Sequence, residues 1–234
     1  FKSWPPRASK MNEIILRSKN LVKTYRNGKD RLKVLDNISV SFISGTINTI
    51  LGESGSGKST LLNVLSSLDN FDHGDLTING ENIKSFSEQA LSKFRNETIG
   101  FIFQFHHLLP DFTVYENILM PIWIKSGYQN DEEYLKLLDD FGLIKLKDKY
   151  PNEISGGERQ RVAIIRAIIN KPKIIFADEP SGNLDEKNSI KLIDLFKTIN
   201  RDYGTTILLT THNLQIASIG SKVFELKSGE LKEN

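Results

Sequence analysis

The alternation of apolar and polar positions predicts that the chain begins as a β layer. Period-two patterns bounded by polar turns predict strands at Glu13–Leu16, Ile38–Ile43, Thr46–Leu51, Leu76–Ile78 and Ile99–Phe103. One helix interrupts this series, because leucines recur at helical spacing over Lys58–Leu68. A strand, a Gly-rich loop and a helix therefore follow one another near residue 52.

Helical spacing replaces the strand pattern in the middle of the chain. Helices are predicted at Val114–Ile124, Glu132–Phe141 and Glu158–Ile169. Further along, apolar runs that predict strands alternate with predicted helices, in the order Ile174–Ala177, Glu186–Tyr203, Thr206–Leu209, Leu214–Ser218 and Val223–Leu226. This alternation is typical of a parallel sheet covered on both faces.

These patterns divide the chain into a core and an inserted lobe. We expect one domain over residues 11–234, with a catalytic core at about 11–103 and 171–234 and a helical lobe at about 104–170. Residues 1–10 precede the first methionine and match neither a strand, a helix nor a signal peptide, so we interpret them as an N-terminal tail.

Composition narrows the class of protein. The 234 residues include 31 Lys plus Arg and 29 Asp plus Glu, a net charge of +2, which argues against a nucleic-acid partner. The absence of cysteine excludes disulfides and thiolate metal sites. No run approaches the roughly 20 apolar residues of a membrane span, so we expect a cytoplasmic protein whose membrane role comes through a partner.

A phosphate-binding loop is predicted between the strand ending at Leu51 and the helix starting at Lys58. Residues 52–59 fit G-x-x-x-x-G-K-[ST], in which backbone N–H groups and the helix N-terminus bind an anion. Lys58 is expected to reach the β- and γ-phosphates and Ser59 to ligate Mg²⁺. The predicted nucleotide-binding residues here are Gly52, Glu53, Ser54, Gly55, Ser56, Gly57, Lys58, Ser59 and Thr60.

Two acidic residues follow a buried strand. Asp178 ends the run Ile174–Ala177, at the sheet edge where parallel sheets bind ligands, and is expected to hold magnesium through water. Glu179 follows directly and is expected to act as the general base that polarises an attacking water.

A second anion site is predicted at Ser155, Gly156, Gly157 and Glu158, where a serine and two glycines open a helix. Small-molecule kinases, GTPases and motor or transporter ATPases share the phosphate loop. Residues 170–173 lack the carboxylate with which GTPases read guanine, and a monomer with one nucleotide has no use for a second anion site.

From Ile14 onward the chain resembles the nucleotide-binding domain of ABC transporters, because residues 155–158 resemble that family's signature. The resemblance implies an α/β P-loop NTPase of the ABC cassette type, with a mixed β core, an antiparallel β layer and an inserted α-helical lobe. It also implies an ATPase homodimer in which the signature of one subunit caps the ATP and Mg²⁺ held by the other.

The family pattern assigns further residues. Tyr25 is similar to the aromatic residue that stacks on adenine, and Gln104 to the glutamine that meets Mg²⁺ and the attacking water. His212 matches the histidine that contacts the γ-phosphate. The loop that crosses the dimer interface corresponds to Ser181, Gly182, Asn183, Leu184 and Asp185. Glu53 departs from the family pattern, and we predict that its side chain points away from the phosphates.

Residues 105–117 look like the corresponding segment of the subfamily that powers lipoprotein release. This resemblance implies a peripheral subunit on the cytoplasmic face of the inner membrane, bound to integral membrane subunits. In it, apolar Phe105, Leu108, Leu109 and Phe112 would help to form the cleft for a membrane-subunit helix. The alternatives are the macrolide-export and cell-division ATPases and, in another class, a soluble non-transport ABC ATPase that acts on nucleic acid or ribosomes.

Overall fold

The computed structural model describes residues 13–28, 30–127, 132–182 and 184–234. Its strands are β1 Ile14–Asn27, β2 Asp30–Ile43, β3 Ile47–Leu51, β4 His73–Ile78, β5 Glu81–Asn82, β6 Ile99–Ile102, β7 Ile174–Asp178, β8 Thr206–Thr211, β9 Lys222–Lys227 and β10 Glu230–Glu233. Its α-helices are α1 Lys58–Leu65, α2 Glu88–Thr98, α3 Val114–Ser126, α4 Glu132–Asp140, α5 Gly156–Ile168, α6 Glu186–Tyr203 and α7 Leu214–Ala217. The predicted N-terminal tail lies outside the described residues.

The strands form two sheets. An antiparallel sheet has the order β2-β1-β4-β5, and a six-stranded sheet has the order β10-β9-β3-β8-β7-β6. In the larger sheet β9, β3, β8, β7 and β6 run parallel, and β10 pairs antiparallel at the edge. The carboxyl ends of β3, β6, β7 and β8 therefore meet along one edge, where parallel sheets place their ligands.

Successive residues of β7 separate two hydrophobic cores. Ile174 and Phe176 are fully buried in a core shared with α1 and the antiparallel sheet. Ile175 and Ala177 point to the other face and pack in a core with α3, α5 and α6. This arrangement explains why β7 is apolar on both faces. The larger sheet is consequently covered on both sides, as predicted.

Several predicted boundaries shift. The first helix ends at Leu65 rather than Leu68, because Ser67 adopts a left-handed backbone with a φ of 59°. The helix predicted to begin at Glu158 begins two residues earlier, where Ser155 caps it. Strands β1 and β2 are much longer than predicted, and α2 was not predicted. Between residues 104 and 170 the described residues form helices and loops without a strand.

None of the described helices is long and apolar enough to cross a membrane.

Candidate nucleotide site

The loop between β3 and α1 folds around the ammonium group of Lys58. Its Nζ donates hydrogen bonds to the carbonyls of Gly52 at 2.8 Å and Glu53 at 2.9 Å. The Lys58 side chain is nearly buried, so these contacts fix the position of its charge. A cation is therefore held at the start of α1, where the helix dipole also favours a bound anion.

Two glycines make this tight loop possible. Gly57 has a φ of 101°, and a Cβ there would lie 2.9 Å from Cγ1 of Val34. A Cβ at Gly52 would lie 2.5 Å from Oγ of Ser56. No side chain caps α1, and its first turn carries no acidic residue. The N–H groups of that turn are therefore not occupied by a side-chain cap.

Glu179 lies between Lys58 and His212. Its Oε1 is 3.2 Å from the Lys58 Nζ, and its Oε2 is 2.8 Å from Nδ1 of His212. The Glu179 side chain is only 10% exposed, whereas that of His212 is 66% exposed. A buried carboxylate is stabilised by a cation in this way. Glu179 directly follows β7, His212 directly follows β8, and Lys58 belongs to the phosphate loop. The structure thus brings together three residues that the sequence assigned to catalysis.

The backbone of Glu179 is held in an uncommon conformation. Its φ is 43°, in the left-handed region that residues other than glycine seldom adopt. Its N–H donates to Oγ1 of Thr210 at 3.1 Å, and that hydroxyl donates to Oδ1 of Asp178 at 2.8 Å. Thr210 therefore orients both acidic residues, a role that the sequence analysis missed.

A cavity of about 700 Å³ adjoins these groups. It is lined by Tyr25, Val34, Glu53, Ser54, Gly55, Gly57, Lys58, Ser59, Thr60, Gln104, Glu179 and His212. The structure therefore gathers residues that the sequence predicted from five separate segments. Gly52, Ser56 and Asp178 do not line the cavity.

Glu53 lies at the mouth of the cavity. Its side chain is exposed, and it also lines a neighbouring groove with Ser56 and Leu226. Among the hydrogen bonds described, Glu53 contributes its backbone carbonyl, which accepts from Nζ of Lys58 and from the N–H of Ser56. The outward orientation of its carboxylate stays a prediction.

Tyr25 contacts the side chains of Asp69 and Lys23 beside the cavity. Its hydroxyl donates to Oδ2 of Asp69 at 2.7 Å, and Oδ1 of Asp69 is 2.7 Å from Nζ of Lys23. Nζ of Lys23 also lies 4.9 Å from the centre of the Tyr25 ring. Burial raises the pKa of Asp69, but hydrogen bonds from Lys23 and Tyr25 outweigh it and lower that pKa overall. Asp69 therefore remains ionised and can orient the ring.

Gln104 reaches the cavity from the end of β6. A Cβ at Gly182 would lie 3.3 Å from the Nε2 of Gln104, so the glycine leaves room for the amide. The N–H of Gly182 donates to the carbonyl of Glu179 at 2.9 Å. The turn after Glu179 therefore packs beside Gln104.

The predicted second anion site is the N-terminus of α5. Oγ of Ser155 accepts from the N–H of Glu158, and the Glu158 carboxylate accepts from the N–H and hydroxyl of Ser155, both at 2.7 Å. The backbone hydrogen bond from Ser155 lowers the pKa of Glu158. Ser155 does not line the phosphate-loop cavity. One chain therefore does not bring its signature to its own phosphate loop.

The predicted interface loop leads into α6. The N–H of Leu184 donates to the carbonyl of Ser181 at 3.0 Å, and Asp185 caps the helix by accepting from the N–H of Asn188 at 2.7 Å. Asn183 lies outside the described residues. The described part of the loop thus has one internal hydrogen bond and ends at the cap of α6.

Comparison with known proteins identifies the family. The family model described as "ABC transporter" matches residues 35–182. The chain belongs to the ABC transporter family. The lipoprotein-releasing system ATP-binding protein LolD of Wigglesworthia glossinidia brevipalpis is 46% identical to this cassette over 222 residues, covering 94% of the chain and 97% of the relative.

Solved ABC cassettes share the fold. Two dimeric structures of MJ0796, a bacterial ABC transporter cassette, match with a TM-score of 0.87 at 35% and 36% identity. Each match covers 94% of this chain and 97% of the other, and one of these dimers binds ADP and Pi. The cassette cbiO1 from Clostridium perfringens, part of the cbiONQ transporter complex, matches with a TM-score of 0.80 at 27% identity over 93% and 86% of the two chains. The predicted ABC cassette fold is confirmed.

Proposed function

We propose that this ABC cassette binds ATP with Mg²⁺ and hydrolyses it as a homodimer, which powers the release of lipoproteins by integral membrane subunits. The observation that carries this proposal is the row formed by Lys58, Glu179 and His212 beside the phosphate loop. At one cavity Lys58 can bind phosphate, and the carboxylate of Glu179 can accept a proton. His212 makes a second polar contact with that carboxylate.

Each predicted site residue has a role in this proposal. Tyr25 stacks on adenine, and the glycine-rich loop with Ser54, Ser56 and Thr60 surrounds the phosphates. Lys58 stabilises the charge that develops on the γ-phosphate. Glu179 accepts a proton from the attacking water, which Gln104 helps to orient, and His212 holds the second oxygen of Glu179.

The residues at the cavity fit a magnesium ion. Mg²⁺ prefers oxygen ligands and keeps several waters, and the Ser59 hydroxyl and Gln104 amide both line the cavity. Asp178, whose carboxylate accepts a hydrogen bond from Thr210, would contact the ion through water. When bound, the ion would neutralise phosphate charge.

Dimerisation supplies the residues that one chain lacks at its own site. Ser155, Gly156, Gly157 and Glu158 of one subunit would cap the ATP of the other, and the loop from Ser181 to Asp185 would cross the interface. This arrangement is supported by the separation of Ser155 from the phosphate-loop cavity. The dimeric structures of the cassette MJ0796 support it independently.

The coupling surface is proposed at the segment after Gln104. Phe105 is 69% exposed and Leu109 is 40% exposed, whereas Leu108 packs partly against the lobe core. Buried Asn117 fixes the segment by donating to the carbonyls of Leu109 and Phe112 and accepting from the N–H of Leu109. Exposed apolar side chains on a fixed backbone suit a membrane-subunit helix. The working position is then the cytoplasmic face of the inner membrane, and no nucleic-acid partner is expected.

Two substitutions test the ATPase site. In Glu179→Gln the ATP complex should persist as a dimer in size-exclusion chromatography, because hydrolysis no longer reopens it. Lys58→Ala should lower turnover by at least about a hundredfold. Glu230→Gln, on the exposed edge strand β10, is the matched control. A Glu179→Gln protein that stays monomeric with ATP contradicts the dimer, and retained turnover in Lys58→Ala contradicts the site.

The transported substrate needs a separate test. The cassette is reconstituted with its membrane subunits in vesicles that contain an acylated lipoprotein, and ATP-dependent release to a soluble carrier is measured. The same protein without acyl chains and a Glu179→Gln cassette are the controls. ATP-dependent release of the acylated form supports the proposal, whereas efflux of a macrolide without lipoprotein release favours the export subfamily.

A further inference from the structure

The segment after Gln104 contains two consecutive residues in a disfavoured backbone conformation. His106 has a φ of 63° and His107 a φ of 45°, both in the left-handed region. Side chains with a Cβ are strained there, and two such residues in succession persist only when neighbouring groups hold them. The structure must therefore supply contacts that fix this backbone.

Arg166, on α5, supplies those contacts. One terminal nitrogen of its guanidinium donates to the carbonyl of His106 at 2.5 Å, and the other donates to the carbonyl of His107 at 2.7 Å. A guanidinium is planar and presents two parallel donors, so it can grip two successive carbonyls. The ammonium of a lysine cannot reproduce this fork.

The surroundings of Arg166 disfavour its positive charge. Burial lowers the pKa of Arg166 to about 10, which still leaves the side chain protonated at neutral pH. Among the described ion pairs none involves Arg166, so its partners there are backbone carbonyls. A partly buried cation whose partners are carbonyls contributes little to the stability of a fold. This cost points to a role in positioning the segment.

A second side chain of α5 grips the same segment. The side chain of Gln160 contacts the imidazole of His106. Both residues are buried, with exposures of 3% and 9%. Since Ser155 caps this helix, α5 joins the signature to the segment that follows Gln104.

We propose that Arg166 is a positioning residue that fixes the amide of Gln104 at the nucleotide cavity by clamping the carbonyls of His106 and His107. Gln104 is two residues from the clamp and lines the cavity. Through α5, the clamp also ties the position of Gln104 to the signature. The inference rests on the proposed role of Gln104 in ATP hydrolysis.

A double-mutant cycle on the reconstituted complex tests this clamp. Arg166→Lys should lower the turnover of ATP by about tenfold and change the Kd of ATP by less than about twofold, since the loop around Lys58 is untouched. If Arg166 acts through Gln104, adding Arg166→Lys to Gln104→Ala should lower turnover no further. Equal fold-losses in both backgrounds, or unchanged turnover in Arg166→Lys, overturn the inference.

A glycine substitution provides a rescue. His107→Gly removes the left-handed strain, so in the Arg166→Lys background it should restore turnover by about threefold or more. His107→Ala removes the same side chain without relieving the strain and should not restore it. If the two substitutions act alike, the clamp does not work through the backbone.

Two controls separate structural damage from loss of positioning. Arg95 donates to the carbonyl of Ser67, which also has a positive φ, so Arg95→Lys is the matched control and should keep full turnover. If Arg166→Lys lowers the unfolding midpoint by more than roughly 5 °C, Gln160→Leu replaces it in the cycle. Intact turnover in Gln104→Ala alone would contradict the proposed function rather than the clamp.

Discussion

Replacing Asp69 with asparagine should weaken ATP binding although Asp69 does not line the nucleotide cavity. Asp69 accepts from the Tyr25 hydroxyl and pairs with Lys23, so it determines where the ring lies at the cavity. Asparagine keeps the size of the side chain but loses the charge that holds both partners. The ring of Tyr25 should then sample orientations that do not stack on adenine.

The structure sets an upper limit on the loss of ATP affinity in Asp69→Asn. Stacking of a base on an aromatic ring contributes about 1–3 kcal/mol, which is the most that losing the position of Tyr25 can cost. The Asp69 side chain is 32% exposed, so solvent screens its contacts. We expect a loss of about 1 kcal/mol, or about fivefold in the Kd of ATP, and a larger loss of about tenfold in Tyr25→Ala.

Isothermal titration of ATP into the Glu179→Gln protein measures these affinities without turnover. Asp75→Asn is the matched control, because that carboxylate makes a long, exposed contact with Lys84 at 3.9 Å. Adding Asp69→Asn to Tyr25→Ala should have no further effect. A fivefold loss that persists without the Tyr25 ring, or no loss in Asp69→Asn, refutes the reasoning.

The pH dependence provides an independent check. The folded-state pKa of Asp69 is lowered. The stabilisation that its charge gives to its contacts with Tyr25 and Lys23 is therefore present above the ordinary aspartate pKa, and it is lost only as the pH falls through the lowered value. The ratio between the ATP affinities of the proteins with and without the Asp69→Asn substitution should therefore stay constant between about pH 6 and pH 8. A ratio that changes in this range would show that another group orients Tyr25.

Four further substitutions test the local structure. Asn117→Ala should lower the free energy of unfolding by about 2–4 kcal/mol in urea titrations, because it leaves buried backbone groups unpaired; a loss below about 1 kcal/mol would contradict this. Gly57→Ala should abolish ATP binding in the isothermal titration, since its Cβ would contact Val34. Gly55→Ala adds only backbone strain, so it should bind ATP, but more weakly than the wild type. Equal ATP affinities of the two variants would refute the distinction. Glu158→Gln should keep the thermal midpoint within about 2 °C, because glutamine also completes a capping box; a larger drop would show that the charge is required.

The phosphate loop and the helices after residue 104 were predictable because local chemistry determines them. The glycine spacing of residues 52–59 is set by the backbone of one anion site, and Ser155 starts α5 through its own capping box. The apolar runs of β7 and β8 reflect burial on both faces of the sheet. Each of these signals lies within about ten residues of sequence.

Other elements were predicted too short or were missed, because their patterns are interrupted or polar. The register of β1 against β2 shifts near Ser18 and Leu21, and Asn20 between them has a φ of 48°, so the alternation that marks a strand is broken. Helix α2 buries only Leu91 and Thr98 and therefore carries a weak apolar stripe.

Supporting residues of the site depend on contacts between distant parts of the chain. Asp69 meets Tyr25 across 44 residues, and Arg166 meets His106 across 60. No periodicity or motif encodes such a pair, so only the folded structure identifies it.

The Lys58 ammonium already makes three contacts, so a nucleotide that binds it replaces one of them. Lys58 binds two carbonyls and the carboxylate of Glu179. A phosphate that approaches Lys58 competes with that carboxylate, so the contribution of Lys58 to the affinity for ATP is the difference between two ion pairs. Variants of Glu179 that lose the charge would then bind ATP more tightly for a reason that has nothing to do with hydrolysis.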